Sequence, residues 1–571
     1  MKQIKTFIFW LIGIQAVQMT SLLIWLFRGK SAIYGTNDDS LISSIASGQL
    51  TGKIDPHLIF IQPIISYPIT WLEYLLPQYS GYSIFLIFCT TLSFSSVLAI
   101  LISVKRANFI NLTIWVIFNL IFQTWFAINP TYTGASLFAG GAAAAFVNYG
   151  LIQNLVLKDI FRKFIYIYGA FLTILCYGIR KEGIYILAIL IIPTILFNIK
   201  RIKNGSQVIK FYLIPFIILY ILNYLLCLSL YSNDQWDKYM ALNDSRHKIQ
   251  LRAPEKFIAN NLPEIGWNKE TYFMFARFSL LDESQMNIEK LQIILETTKE
   301  FVGPKSILRM NFSESIPIVK AAFSPWTWIL KIQILMILII GLSKIKDKIF
   351  GRYIMFLILQ AVFLLIFIFV LSTGYQIPER ISLNLLAALT LSMFSQMIVF
   401  NKIEFRKNLI ITLSSLILVI ISIYLTLTRL SVETKAREGM YLTRQVYADQ
   451  QINSLSKLKE QNVISFGSGL KTDWRFPYNK WKSFDPRDKT ITLGWLNLSP
   501  ISQDQFKIRN LNLGNFPRGV INSEIYWVDS PDEINISRDY FQQFTEEDLV
   551  FSDEGNVGND EYHFYRFSTI E

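Results

Sequence analysis

Runs of roughly 18 or more nearly charge-free residues recur along this 571-residue chain, and they fix what it can become. In lipid no water satisfies backbone N–H and C=O groups, so an apolar run of that length crosses as a helix. Such runs lie at approximately 4–27, 83–104, 109–128, 134–157, 163–179, 184–199, 211–231, 326–343, 353–372, 381–400 and 408–429, about eleven in all. With only 17% of residues charged, the chain is too apolar for a soluble globule.

The distribution of charge is more informative than its total. Residues 431–571 carry 16 Lys and Arg against 21 Asp and Glu, so the net +12 of the chain leaves +17 on residues 1–430. Those cations sit mainly in alternate short loops, at Lys105–Arg106, Lys158–Lys163, Lys200–Lys210, Lys344–Arg352 and Lys402–Lys407. Positive loops stay cytoplasmic. Together with Lys2 and Lys5 they predict a cytoplasmic amino terminus and, for an odd number of spans, a carboxy-terminal part outside. Clustering between spans excludes a nucleic-acid partner. The first run is too long, and lacks the cleavage region, for a removed signal peptide. Cys89, Cys176 and Cys227 fall within apolar runs and imply no disulfide framework.

The expected fold is an α-helical polytopic membrane protein with a small mixed α/β extracytoplasmic domain. The division expected is a membrane domain at 1–430, with outer loops at 28–81 and 232–325, and an outer domain at 431–571. Within the second unit, short β-like runs at 463–466, 490–493, 524–528 and 563–567 are separated by Gly, Pro and Asp. In the first loop, Asp38–Gly48 reads as a short helix capped by Asn37 or Asp38, with Leu41, Ile42 and Ile45 on a face suited to the membrane interface. A second amphipathic segment, 62–76, carries Trp71 and Tyr74 at headgroup level.

Chemistry is concentrated at the predicted outer rim. Asp38 and Asp39 closely follow the first span, where anchoring needs no acid. A helix amino terminus would use one of them; a general base, or ligands for a divalent cation such as Mg or Mn, would use both. Arg180-Lys181-Glu182 sits in a very short turn at the membrane edge, against the cation asymmetry. Arg180 there is either paired with Glu182 or suited to a lipid-borne phosphate. Glu379-Arg380 repeats the choice in another outer turn. His57, after Asp55-Pro56, reads as an interface histidine or a site residue. In loop 232–325, Tyr239, Asn243, Arg246, Asp282 and Glu283 read as solvated surface or as sugar contacts. The cluster Asn129–Gly134 borders the same rim, and the small residues 139–145 favour close helix packing.

An amino-terminal span, an acidic pair in a long first outer loop, a many-span core and an outer carboxy-terminal domain resemble the GT-C superfamily of integral-membrane glycosyltransferases. The text Asn37–Gly48, with Thr51-Gly52 and Asp55–Leu58, also looks like a family of multispan proteins of Gram-positive bacteria, in which Arg246, Asp282-Glu283 and Pro378–Arg380 match recurring positions. The resemblance implies a polyprenyl-phosphate-linked sugar donor and a catalytic acid in the first outer loop. The Trp-Trp-Asp-Tyr-Gly text of oligosaccharyltransferase catalytic subunits does not occur; Gly494-Trp495-Leu496 has no acid beside it. A cell-surface glycan, polymer or lipid is therefore the expected acceptor. The site expected is Asp38 and Asp39 as catalytic acids, Arg180 and Arg380 on the lipid phosphate, and Asn37, His57, Glu182, Arg246 and Glu379 as lining, in a multi-pass protein of the bacterial plasma membrane. The alternatives are a polysaccharide polymerase or ligase, a lipid-linked-sugar transporter, or a surface-binding protein without catalysis.

Overall fold

The computed structural model describes residues 1–28, 32–107, 109–152, 159–198, 205–252, 262–297, 312–342, 379–400, 409–458, 462–466, 490–511, 516–522, 525–558 and 561–570, with isolated positions including 474 and 476–479. The chain is mainly helical. Eight helices build the part that matters for the site: α1 (Lys2–Phe27), α2 (Asn37–Ala46), α3 (Pro63–Leu75), α4 (Gly81–Ser103), α5 (Phe109–Ile128), α6 (Tyr132–Ile152), α7 (Asp159–Ile179) and α8 (Gly183–Asn198).

Among the described residues six helices are long and apolar enough to cross a membrane: α1, α4, 111–128 of α5, α6, 160–179 of α7, and Ile209–Tyr231. Of the other predicted spans, 184–199 and 381–400 fall on shorter apolar helical stretches, Gly183–Leu196 and Ile381–Phe394. The run 326–343 becomes the helix Thr327–Leu342, and 408–429 opens a continuous helix, Leu409–Lys457. Most of 353–372 lies outside the described residues.

Burial sorts these helices into centre and periphery. The apolar windows of α4 and α6 are each 94% buried, whereas those of α1 and Ile209–Tyr231 are 11% and 6% buried. Side chains left bare by protein, such as Ile218, Tyr224 and Leu225, suit a lipid contact. The small-residue run explains the central place of α6. A Cβ added at Gly141 would lie 2.5 Å from Ala388 Cα, so the helix Glu379–Phe400 approaches there to backbone contact. Polar groups tie the same helices: Asn148 donates to Leu190 O at 3.1 Å and Gln15 to Thr91 Oγ1 at 2.8 Å.

The carboxy-terminal sheet has strands β1 (Asn462–Phe466), β2 (Thr490–Leu493), β3 (Ile525–Asp529), β4 (Leu549–Asn556) and β5 (His563–Thr569), in the order β2-β1-β3-β5-β4. The first three run parallel, and β5 lies antiparallel to both β3 and β4. The sheet does not close its core alone. Leu242, Ile249, Met274, Phe275, Leu281 and Leu291, all from the predicted outer loop, share one apolar cluster with Ile464, Ile491, Trp527 and Phe567. Arg277 carries the union into polar contacts, donating to the fully buried Asp529 at 3.0 Å. The described residues between Leu242 and Ile294 and the sheet therefore share one core.

Candidate functional site

The first loop folds back onto one end of the helical bundle. Thr36, not Asn37 or Asp38, caps α2: its hydroxyl accepts from Asp39 N at 3.2 Å and donates to Asp39 Oδ2 at 2.7 Å. Thr-x-x-Asp spacing thus gives a hydroxyl cap whose own proton goes to the N3 carboxylate. Gly48, at φ +79°, supplies the stop. The α2 face predicted for the membrane interface instead joins the core: Ile42 and Ile45 are fully buried, because α2 packs against α3 and α4. Trp71 and Tyr74 of α3 are exposed.

The two aspartates then part company. Asn37 is exposed and accepts from Asp38 N, and Asp38 is half-buried at the surface. Asp39 points inward and is fully buried. Its Oδ1 accepts from the Tyr82 hydroxyl at 2.6 Å and from Tyr132 N at 2.8 Å. Burial pushes the Asp39 carboxyl up from 3.8 to about 6; the donors Tyr82, Thr36 and Tyr132 oppose the rise and the Asp38 charge adds to it. At neutral pH Asp39 is mainly a carboxylate, held in one orientation.

Tyr132 links this acid to a cation. Its backbone serves Asp39, while its ring lies under the Arg180 guanidinium at 5.2 Å. Arg180 also donates from Nη1 to the Thr133 hydroxyl and from Nε to Glu182 Oε2 at 3.3 Å. Its side chain is partly open to solvent, and Lys181 and Glu182 beside it are exposed. Asp39, Tyr132, Thr133, Arg180 and Glu182 thus meet at one end of α6 and α7. The sequence had placed the Asn129–Gly134 cluster only at the border; it is the connection.

Hydrogen bonds tie the chain before α2 and the start of α4 to residues 477–478 and to the helix Leu409–Lys457. Tyr34 and Ser83 both donate to Pro477 O, at 3.0 and 2.8 Å. Tyr478, fully buried, donates to Ala127 O at 2.7 Å, and Gln445 donates to Ala32 O at 2.7 Å. Glu73, buried in α3, accepts from Tyr82 N at 2.9 Å. Sequence reading passed over Tyr82 and Glu73 because both sit in segments otherwise apolar or aromatic. A polar residue at the first turn of a span was the available signal.

The remaining predicted residues lie apart or beyond description. His57 Nδ1 meets Asp55 Oδ1 at 2.5 Å, Nε2 meets Leu230 O at 2.9 Å, and its ring stacks on Trp236 at 4.7 Å. That anchors the first loop to the segment around Leu230 and Trp236. Arg246 is not solvated: 1% exposed, it donates to Gly494 O at 3.2 Å, and to Asn243 Oδ1 and Trp495 O at 2.5 Å. Burial lowers its guanidinium to about 10, with Tyr239 holding it up. It fixes a turn and does not reach the acid pair directly. Glu379 and Arg380 begin the helix Glu379–Phe400, but their side chains lie outside the described residues.

The donor set does not suit a metal ion. Both Asp39 oxygens already accept protein hydrogen bonds, and among the described residues no three His, Cys, Asp or Glu side chains converge. What the arrangement can supply is a surface carboxylate, a buried oriented one and a partly open guanidinium. No protein-family model matches this chain, and neither a curated protein nor a solved structure matches it.

Proposed function

We propose that the chain is a membrane glycosyltransferase that moves a sugar from a polyprenyl-phosphate carrier to a surface glycan, polymer or lipid at the outer leaflet. The observation that carries this reading is the union, through Tyr132, of the first-loop acid pair with Arg180. An acid beside a cation at the rim of a membrane bundle is what transfer from a lipid phosphate requires. The helix ends support that orientation. Lys2 and Lys5 of α1, Lys105 and Arg106 after α4, and Arg162 and Lys163 of α7 lie at the ends opposite the acid pair, so positive-inside sorting puts the pair outside. In this proposal the sheet lies outside with it, and the apolar runs 184–199, 326–343, 353–372, 381–400 and 408–429 complete about eleven passes.

In the proposed reaction Asp38 accepts the proton of the acceptor hydroxyl as its oxygen attacks the anomeric carbon. The bond from that carbon to the phosphate oxygen breaks, and its electron pair leaves with polyprenyl phosphate. Arg180 neutralises the charge developing on the departing phosphate, and Arg380 is the second cation proposed for it. Asp39 is the positioning residue: its three protein donors fix the first turn of α2, and hence where Asp38 stands.

The test is release of polyprenyl phosphate by purified protein in lipid, given a panel of polyprenyl-phosphate sugars with candidate glycan acceptors. Asp38→Asn should lose release and Asp39→Asn should weaken it. Full activity in Asp38→Asn would remove the assignment of the base, and no release from any donor by the folded wild type would remove the transferase reading.

A further inference from the structure

A row of rings runs from the site toward the sheet body. Phe60 stacks on Tyr132 with centroids 6.1 Å apart and planes 8° from parallel. Trp495 meets Phe60 at 4.7 Å with a 56° tilt, so the two half-buried rings form a corner rather than a flat stack. Phe60 belongs to the first loop and Trp495 to the turn between β2 and the helix Pro500–Ile508. Neither lies in an apolar span.

The turn that presents Trp495 is held far more firmly than an ordinary surface turn. Arg246 and Tyr239 both donate to Trp495 O, at 2.5 and 2.7 Å, and Arg246 also donates to Gly494 O. Asn497 Oδ1 accepts from Gly494 N at 2.9 Å, while its amide donates to Phe278 O at 2.6 Å. A fully buried guanidinium is expensive to desolvate, and here it orders a backbone whose side chain stays partly open. Holding a ring in place before a ligand arrives removes the ordering cost from binding.

We infer that Phe60 and Trp495 are a pyranose-binding shelf for the acceptor glycan, with Arg246 and Tyr239 as positioning residues. A sugar ring offers one face of C–H bonds to an aromatic plane and keeps its hydroxyls at the edge for water. The corner geometry lets a second ring meet that edge. The acceptor is the occupant because the shelf is shared by the first loop and the sheet body, whereas a carrier lipid is anchored by its chain in the bilayer. Tyr132 is common to the shelf and the acid site: its ring carries Phe60 and the Arg180 guanidinium, and its backbone N–H binds Asp39. The identity of the occupant as acceptor rests on the transferase reading; the pyranose affinity of the shelf does not.

The test measures binding without any donor: saturation-transfer NMR on full-length protein in lipid discs, with methyl pyranosides of glucose, galactose and N-acetylglucosamine. Wild type should transfer saturation to the ring protons of at least one. Phe60→Ala and Trp495→Ala should weaken that binding about tenfold, the scale of an aromatic contact. Trp495→Phe, which keeps a ring, should recover part of it, and serves if the alanine variant misfolds. Arg246→Gln, which frees the turn but leaves both rings, should weaken binding by an intermediate factor. Equal signals in all variants, no signal in wild type, or displacement by polyprenyl phosphate alone would overturn the shelf. In the release assay, a raised KM for acceptor only in Trp495→Phe marks the acceptor as occupant; a change confined to the donor assigns the shelf to the donor sugar and overturns that occupant. Pyranoside binding without any release sinks the transferase reading and leaves the shelf.

Discussion

Asp39 and Tyr132, 93 positions apart, are joined by a 2.8 Å hydrogen bond from the Tyr132 backbone to Asp39 Oδ1. The donor is the first residue of α6, whose amide has no partner within its own helix. One carboxylate thus satisfies the start of α6 and completes the cap of its own helix. It does so fully buried, which is why its carboxyl is held up near 6.

That burial has a pH signature. Between about pH 4 and about pH 6 the folded chain keeps the Asp39 proton that the unfolded chain has released, so stability falls as pH rises through this window. The cost of the ionised form above it is of order 3 kcal/mol. Asp39→Asn, which retains an acceptor for Tyr82 and Tyr132, should flatten the dependence. Thermal unfolding in lipid from pH 4 to pH 7 reads this directly; an unchanged slope in the variant would assign it to another group.

Arg180 should not tolerate lysine. The guanidinium stacks on Tyr132 while donating to both Thr133 and Glu182, a fork that an ammonium cannot reproduce. Arg180→Lys keeps the charge and should raise the KM for the lipid-phosphate donor about tenfold, the equivalent of one charge-assisted hydrogen bond. An unaltered donor KM would mean that Arg180 is only Glu182's partner.

Local signals were legible and long-range ones were not. The four β-like runs became β1, β2, β3 and β5, because their apolar residues face a packed sheet. The edge strand β4 was missed: after Leu549-Val550-Phe551 its text turns to Ser-Asp-Glu-Gly-Asn, which reads as loop, and most of it is exposed. Thr36 was overlooked as cap because Asn37 and Asp38 are equally good by type, although Thr-x-x-Asp was in plain text. Arg246 reads as solvated surface or a sugar contact because its partners include carbonyls 248 and 249 positions away, and carbonyls leave no mark in a sequence. The α2 face was assigned to lipid on periodicity alone, which cannot tell one apolar neighbour from another.

The small-residue run of α6 makes its own prediction. A Cβ at Gly141 would meet Ala388 Cα at 2.5 Å and Ala388 O at 2.6 Å, both backbone atoms that cannot swing aside. Gly141→Ala should therefore destabilise the bundle by about 1–3 kcal/mol, the usual cost of overpacking. Gly13 in α1 has nothing within 4 Å of an added Cβ, so Gly13→Ala should cost nothing. Comparable melting of the two variants would contradict backbone contact between α6 and the helix Glu379–Phe400.

The union of residues 262–297 with the sheet is testable at Arg277. Asp529, at the end of β3, is fully buried and accepts from Arg277 at 3.0 Å, Ser537 at 2.6 Å, Trp527 Nε1 at 3.1 Å and Ser530 N at 2.9 Å. Arg277 also pairs with Glu533 at 3.1 Å and lies over the Phe273 ring. Removing the cation leaves a buried carboxylate with neutral donors only, a loss of about 3–5 kcal/mol. Arg277→Met should thus open the body to protease at both residues 262–297 and the sheet. Adding Asp529→Asn removes the stranded charge, so the double variant should regain part of the loss and the two effects should fall short of additive. Independent, additive losses would show that the segment and the sheet are held together by the apolar cluster alone.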